Sequence, residues 1–445
     1  MSASRVSLRV FHVGITLLLA TVLGGCSDDA PAGAGGGAGS AGRSGSGSNE
    51  GGASSGAAGK PSGGGNAAAG KSGSGNGNGG SPGTAGNLGA GGGMPPMGGG
   101  KSPAADVARK LGLAPNFLIG MGNDLPKDYM WEHSGIYTLG AKLDIHYIYL
   151  TKGWQTWNDD GGYPKVIGQV DKSKGAVPMS SVYAVTGNGE NNFAVLIDGT
   201  YMTEYWSTAK LLMQRYGELD TPAIVHLEPD FWAYAQQQSG GDPTKVPVQL
   251  SPDCANLPGD LSGMARCWVT LARNNAPKVL IGLHASEWAA GSGKEVGTFL
   301  NALGAAETDL VIIDMLDRDA GCFEAHALPQ CMRDGKFYLD ESNQTSPNYA
   351  ERLSFAKQVS DTTGKPILWW QLPFGVPSDT PGGTPGHFRD NKVHYVFSHI
   401  QELVDAGGVG ATFGTGAADQ TFVTSDGSQF DNAVKAYFAA PVPLP

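Results

Sequence analysis

Eight short apolar runs punctuate the chain: Asn116 to Gly122, Asp144 to Leu150, Val177 to Val185, Ala223 to Asp230, Lys278 to Ser286, Asp309 to Leu316, Pro366 to Pro373 and Gly408 to Gly416. Each is rich in Ile, Val, Leu or aromatic residues and too short for a helix, and most are separated by segments long enough to hold one. Near-continuous apolar runs of this kind mark parallel strands buried on both faces. Between them, Gly199 to Gly217, Asp260 to Asn274, Lys294 to Leu303, Pro347 to Thr363 and Asn391 to Ala406 carry apolar residues at helical spacing, several closing near Gly or Asn. The early connections are weaker: Gly153 to Gly175, with Trp154, Trp157 and Asn158 to Gly161, reads as a long loop. Eight strand-helix units in about 340 residues predict the α/β class and a single (β/α)8 TIM-type barrel with loop insertions over residues 104–445. A doubly wound open sheet is the rival, but Gly120-Met121-Gly122-Asn123-Asp124 lacks the third glycine of the dinucleotide fingerprint.

The fourth run ends His226-Leu227-Glu228-Pro229-Asp230. Alternation along a strand predicts that His226, Glu228 and Asp230 share one face where the chain leaves the barrel, the end at which barrel enzymes keep their chemistry. In the sixth run Asp314 interrupts Val311-Ile312-Ile313, a costly place for a carboxylate unless it is paired or used. Asp230, Glu287 and Asp317 compete with it as partners for Glu228. Bland roles stand beside these: a satisfied core position for His226, a turn or helix cap for Asp230, and a loop ion pair for Asp317 with Arg318.

The first hundred residues have a different character. Arg5 and Arg9 precede the apolar stretch Val10 to Leu23, which ends Leu23-Gly24-Gly25-Cys26. This resembles a bacterial lipoprotein signal, and the resemblance implies removal of residues 1–25, acylation of Cys26, and a lipid-anchored place in the bacterial cell envelope. An uncleaved anchor and an ordinary signal peptide are the other readings. Residues 26–103 are mostly Gly, Ala, Ser and Asn and hold 30 of the 69 glycines, a composition that predicts a disordered tether. Four cysteines remain after Cys26 and fall into two local pairs, Cys254 with Cys267 and Cys322 with Cys331. Two disulfides suit an exported protein, and neither pair has the close spacing of a zinc site. Loss of the signal takes away two arginines and no acid, moving the formal charge from -11 to -13. That balance argues against nucleic acid and anionic polymers and leaves a neutral polymer.

Nine tryptophans favour a glycan as that polymer, because indole faces stack on sugar rings while nearby polar groups meet hydroxyls. Trp154 and Trp157 follow the second run, Trp232 the fourth and Trp288 the fifth, and Trp369 and Trp370 lie within the seventh. Any one of them could instead fill the core.

Glycoside hydrolysis needs two carboxyl groups, about 5 to 5.5 Å apart for retention and about 6.5 to 9.5 Å for inversion. Glu228, at a strand end beside Trp232, is the expected proton donor, with Asp314 as partner and Asp230 as third candidate. Over Ala104 to Ala439 the chain resembles the secreted bacterial (β/α)8 glycoside hydrolases. In the large retaining clan of that fold an Asn-Glu pair ends the fourth strand and a second Glu the seventh. Here Leu227 precedes Glu228, and Leu368-Trp369-Trp370-Gln371-Leu372-Pro373 places Gln371 where the nucleophile belongs. Glu228-Pro229-Asp230 also resembles a segment of inverting cellulases with a distorted barrel, whereas no chitinase-like Asp-x-x-Asp-x-Asp-x-Glu series occurs. The resemblance implies a monomer without cofactor acting on a polysaccharide or oligosaccharide. His226, His284, Glu287, Trp154, Trp232, Trp288, Trp369 and Gln371 are the expected substrate contacts. Two other classes remain open: a metal-dependent hydrolase using His226, Glu228, His284 and Asp314, and a glycan-binding barrel without catalysis.

Overall fold

The computed structural model describes residues 101–122, 139–157, 161–185, 189, 191–289, 291–315, 322–323, 326, 331–332, 338–377, 388–390, 392–414, 423 and 426–445. The expected signal, the expected acylation site Cys26, nearly all of the tether, and Asp317 with Arg318 lie outside them. Among the described residues no helix is long and apolar enough to cross a membrane.

All eight predicted strands form. They are β1 (Leu118–Gly122), β2 (Ile145–Thr151), β3 (Val177–Tyr183), β4 (Ala223–Leu227), β5 (Val279–Ala285), β6 (Leu310–Ile313), β7 (Ile367–Leu372) and, after a short antiparallel ribbon β8–β9 (Val376–Pro377 with Phe388–Asp390), β10 (Gly408–Phe413). They close into one parallel barrel in the order β1-β10-β7-β6-β5-β4-β3-β2. The strands are buried nearly throughout, as expected of a sheet wrapped by helices.

The outer layer includes Gly199–Leu219, Leu261–Asn275, Gly293–Leu303 and Tyr349–Thr363, each within a few residues of its expected place. Their starts are chemically marked. Asp198 accepts the Thr200 and Tyr201 amides, Asp260 those of Ser262 and Gly263, and Asn348 forms a capping box with Glu351. One expectation fails: the supposed loop Gly153 to Gly175 contains the helix Tyr163–Lys174. Its apolar face is thin, and Gly168 sits in its middle where a glycine normally argues against helix. A side chain there would collide with Leu219 of the neighbouring helix, so tertiary packing overrides the local penalty. Both predicted disulfides are present, Cys254–Cys267 and Cys322–Cys331.

Glycines shape the top of the barrel for a specific reason. A Cβ at Gly122 would land on the Tyr147 ring, and one at Gly414 on its hydroxyl. Gly122 and Gly414 thus serve packing, leaving room for the tyrosine of β2. Gly122→Ala is expected to destabilise the fold by about 1–3 kcal/mol through overpacking, read from the midpoint of urea denaturation at unchanged slope.

Candidate functional site

Side chains from strands that are not neighbours can touch only through the barrel interior, which identifies its upper layer. Trp370 of β7 is the hub: its ring lies 6.1 Å from Tyr147, 5.9 Å from Tyr149, 6.5 Å from Tyr183, 4.8 Å from His226 and 5.8 Å from His284. Alternation then turns Trp369 outward, where it packs on Phe117 and over the bare Gly408. Of the two adjacent tryptophans, the expected contact Trp369 is therefore a core residue and Trp370 holds the centre.

The two histidines form part of a chain. Ser181 Oγ lies 3.1 Å from His226 Nδ1, and His226 Nε2 lies 3.0 Å from His284 Nδ1. Burial drives both imidazoles to the neutral form, His284 down to about 3 and His226, further disfavoured by its neighbour, well below its ordinary value. His284 Nε2 ends the chain without a partner, as do Ser286 Oγ two residues on and Trp370 Nε1.

The exit of β4 departs from the expected single face. Glu228 and Asp230 both adopt positive φ, 40° and 66°, which breaks the alternation that would align them with His226. Glu228 is fully buried, and its Oε2 accepts the amides of Ala184 at 3.0 Å and Val185 at 3.1 Å at the exit of β3. Tyr201 shares its hydroxyl proton between the carbonyls of the same two residues, and Tyr205 stands beside the carboxyl. Burial raises the Glu228 carboxyl to about 8, with the amide and Tyr205 hydrogen bonds opposing. Next to it a cavity of 20 Å³, lined in part by Trp154, Ala184, Tyr201 and Tyr205, has room for about one water. Glu228 thus ties the β4 exit to the β3 exit under the helix layer.

Asp230 behaves differently. It precedes the helix Phe231–Ser239 yet makes no side-chain cap to it. Its Oδ2 instead accepts the hydroxyl of Tyr183, an inward residue, at 2.8 Å, and the residue is only half-buried. On β6, Ile312 fills the space over Gly282, which shares the inner row of His284; one residue past the strand, the same alternation turns the half-buried Asp314 inward. Carried one step further, the β6–β7 register sets Asp314 beside Trp370.

Glu287 is engaged elsewhere. Its buried carboxylate pairs with Arg352, while burial, opposed by that pairing, lifts it to about 7. Gln371 is buried at the end of β7 with φ 56°, next to an irregularity in the β7–β10 pairing. Three of the seven non-glycine residues with positive φ among the described residues, Glu228, Asp230 and Gln371, stand at the ends of β4 and β7, a strain of the kind found at functional sites.

The indoles divide by burial. Trp154 and Trp232 are as deeply enclosed as Trp369, and Trp232 Nε1 donates to the Leu227 carbonyl. Trp288 is half-buried, meets Tyr234 edge-on at 4.6 Å and keeps its Nε1 without a partner. It and Trp157 retain accessible surface.

The metal alternative does not match this geometry. His226 and His284 spend facing nitrogens on each other, and Glu228 points toward β3. Among the described residues no group of three or more His, Cys, Asp or Glu is arranged to hold an ion.

Sequence reasoning overlooked Tyr147, Tyr149, Tyr183 and Ser286. The i, i+2 spacing of Tyr147 with Tyr149, of Ser181 with Tyr183 and of His284 with Ser286 is the signal that could have found them.

No protein-family model matches the chain, and no curated protein sequence matches it. Similar solved structures include an engineered protein (12% identity over 75% of this chain and 72% of the other, TM-score 0.45). A fungal β-1,4-galactanase (12%, 66% and 88%, 0.40) and a β-glucosidase from Thermotoga maritima (12%, 66% and 83%, 0.36) are also similar. At these identities the likeness concerns the barrel fold.

Proposed function

We propose that this barrel hydrolyses glycosidic bonds in a neutral polysaccharide or oligosaccharide, with Asp230 and Asp314 as the catalytic pair. The observation that carries the reading is the placement of the two acids: both are half-buried just past the ends of β4 and β6, Asp230 on the hydroxyl of the inward Tyr183 and Asp314 at the register position beside Trp370. They leave strands two steps apart, roughly 10 Å between strand axes at about 4.8 Å per step. That separation of the strands is well beyond the roughly 5 to 5.5 Å between the carboxyls of a retaining pair and nearer to inversion, in which one carboxyl protonates the leaving oxygen while the other activates a water. Trp288 with Tyr234 supplies a stacking surface at the rim. Anchoring through Cys26 and the tether would hold such an enzyme at the cell envelope, facing external polymer.

The test is release of reducing ends from a panel of neutral polysaccharides by the purified protein, with and without a chelator. Hydrolysis indifferent to chelation is the expected result. Hydrolysis abolished by chelation and restored by an added divalent metal would select the metal enzyme instead, and tight binding without turnover a binding barrel.

A further inference from the structure

We propose that His284 Nε2, Ser286 Oγ and Trp370 Nε1 form a three-point site for the hydroxyls of a neutral sugar ring, positioned from behind by the Ser181–His226 chain. The proposal rests on the glycosidase reading for its ligand class and on independent geometry for its location.

All three atoms belong to inward positions at the ends of β5 and β7, and their residues are 1%, 2% and 2% exposed. Each lacks a hydrogen-bond partner. Leaving a buried polar group unsatisfied costs about 1–3 kcal/mol, so three on one patch of the barrel floor need an occupant. The inner side of the same chain is closed: Ser181, His226 and the near side of His284 are all paired.

The chemistry of the three atoms selects the occupant. The indole Nε1 only donates, a serine hydroxyl does either, and the imidazole nitrogen does either according to tautomer. The histidine chain has two proton arrangements of opposite sense. If Ser181 donates to His226 Nδ1, every link donates forward and His284 Nε2 carries a proton. If His226 donates to Ser181, the links reverse and His284 Nε2 presents a lone pair. A hydroxyl, itself donor and acceptor, fits either sense. An anion does not, because no cation belongs to the set and the carboxyls of Asp230 and Asp314 face the same floor. The Trp370 and Tyr183 rings, 6.5 Å apart, supply the apolar wall against which a sugar ring sits.

Two substitutions separate this role from a structural one. His284→Asn keeps an amide near the Nδ1 position, preserving the bond to His226, and deletes the outer nitrogen. His284→Gln does the reverse. The full chain and both variants, with Ser286→Ala as a smaller perturbation, are titrated with glucose, galactose, mannose and xylose. Imidazole 15N shifts are followed by NMR, and kcat/KM is measured on whichever polysaccharide is cleaved. Expected are a sugar-dependent shift of His284 Nε2, at least about tenfold loss for His284→Asn and Ser286→Ala, and milder loss for His284→Gln. If the wild type cleaves a polysaccharide but His284→Asn and Ser286→Ala match it, the site is wrong and the glycosidase reading stands. If a sugar-saturated crystal shows only ordered waters on the three atoms, the site is likewise wrong. If the wild type neither binds nor cleaves any saccharide, the reading fails and takes the site with it.

Discussion

Replacing Asp230 or Asp314 by asparagine should lower glycoside hydrolysis by about two to four orders of magnitude, the range a positioned acid or base contributes. Unfolding free energy should stay within about 1 kcal/mol of wild type, because an asparagine in place of Asp230 still accepts the Tyr183 hydroxyl and both side chains are half-buried. The two losses should not add in the double variant, since each carboxyl acts on a step that needs the other. An activated aryl glycoside tells the roles apart. The variant that recovers on a good leaving group has lost the proton donor, and the one that does not has lost the base. Unchanged activity in both variants on a validated substrate would remove the pair from the mechanism.

Glu228→Gln should make the protein more stable at alkaline pH. In the fold this carboxyl is held at about 8 against an ordinary value of 4.5. The folded state therefore keeps a proton that the unfolded chain releases. Its stabilising contribution is complete below about pH 4.5 and is lost as pH rises through 8, at about 1.4 kcal/mol per pH unit between the two values. Glutamine can still accept the Ala184 and Val185 amides and has no proton to lose, so denaturation midpoints should converge with wild type near pH 4.5 and exceed it by a few kcal/mol near pH 9. Glu287, raised to about 7 mainly by burial, loses stability in the same direction and keeps part of the alkaline slope in the variant. His284 acts on the opposite side. Its value of about 3 against an ordinary 6.5 means that stability falls as pH drops below 6.5, and this acid limb should be identical in both proteins. A wild-type pH slope in the variant would show that Glu228 is ionised and solvated, contrary to its burial. Because Glu228 positions the β4 exit, hydrolysis by the variant should fall far less than in the two Asp variants.

The barrel was legible in the sequence because buried parallel strands leave an unmistakable trace: eight apolar runs with helix-length gaps. The crossover from β2 to β3 was not, since Gly168 is a packing choice made by Leu219, a residue far along the chain. The site was legible only in part. The inward placing of His226 and His284 follows from strand alternation along regular backbone. Alternation does not hold at Glu228, where positive φ turns the carboxyl to the β3 exit, whereas Asp230, also at positive φ, comes back to the inward Tyr183, and no local pattern announces that strain. The choice between Trp369 and Trp370 depended on which one faces inward, a parity fixed by the closure of the whole barrel rather than by the dipeptide. Burial of Trp154 and Trp232 was equally invisible, because an indole beside a strand end reads the same whether it caps the core or lines a cleft.

The most direct test is the anomeric configuration of the first product, followed by 1H NMR at early times before mutarotation, on whichever substrate the panel identifies. The proposed pair, Asp230 past β4 and Asp314 past β6 acting on a water between them, predicts the inverted anomer. The retained anomer would place a nucleophile within bonding reach of the sugar and contradict the Asp230–Asp314 pair.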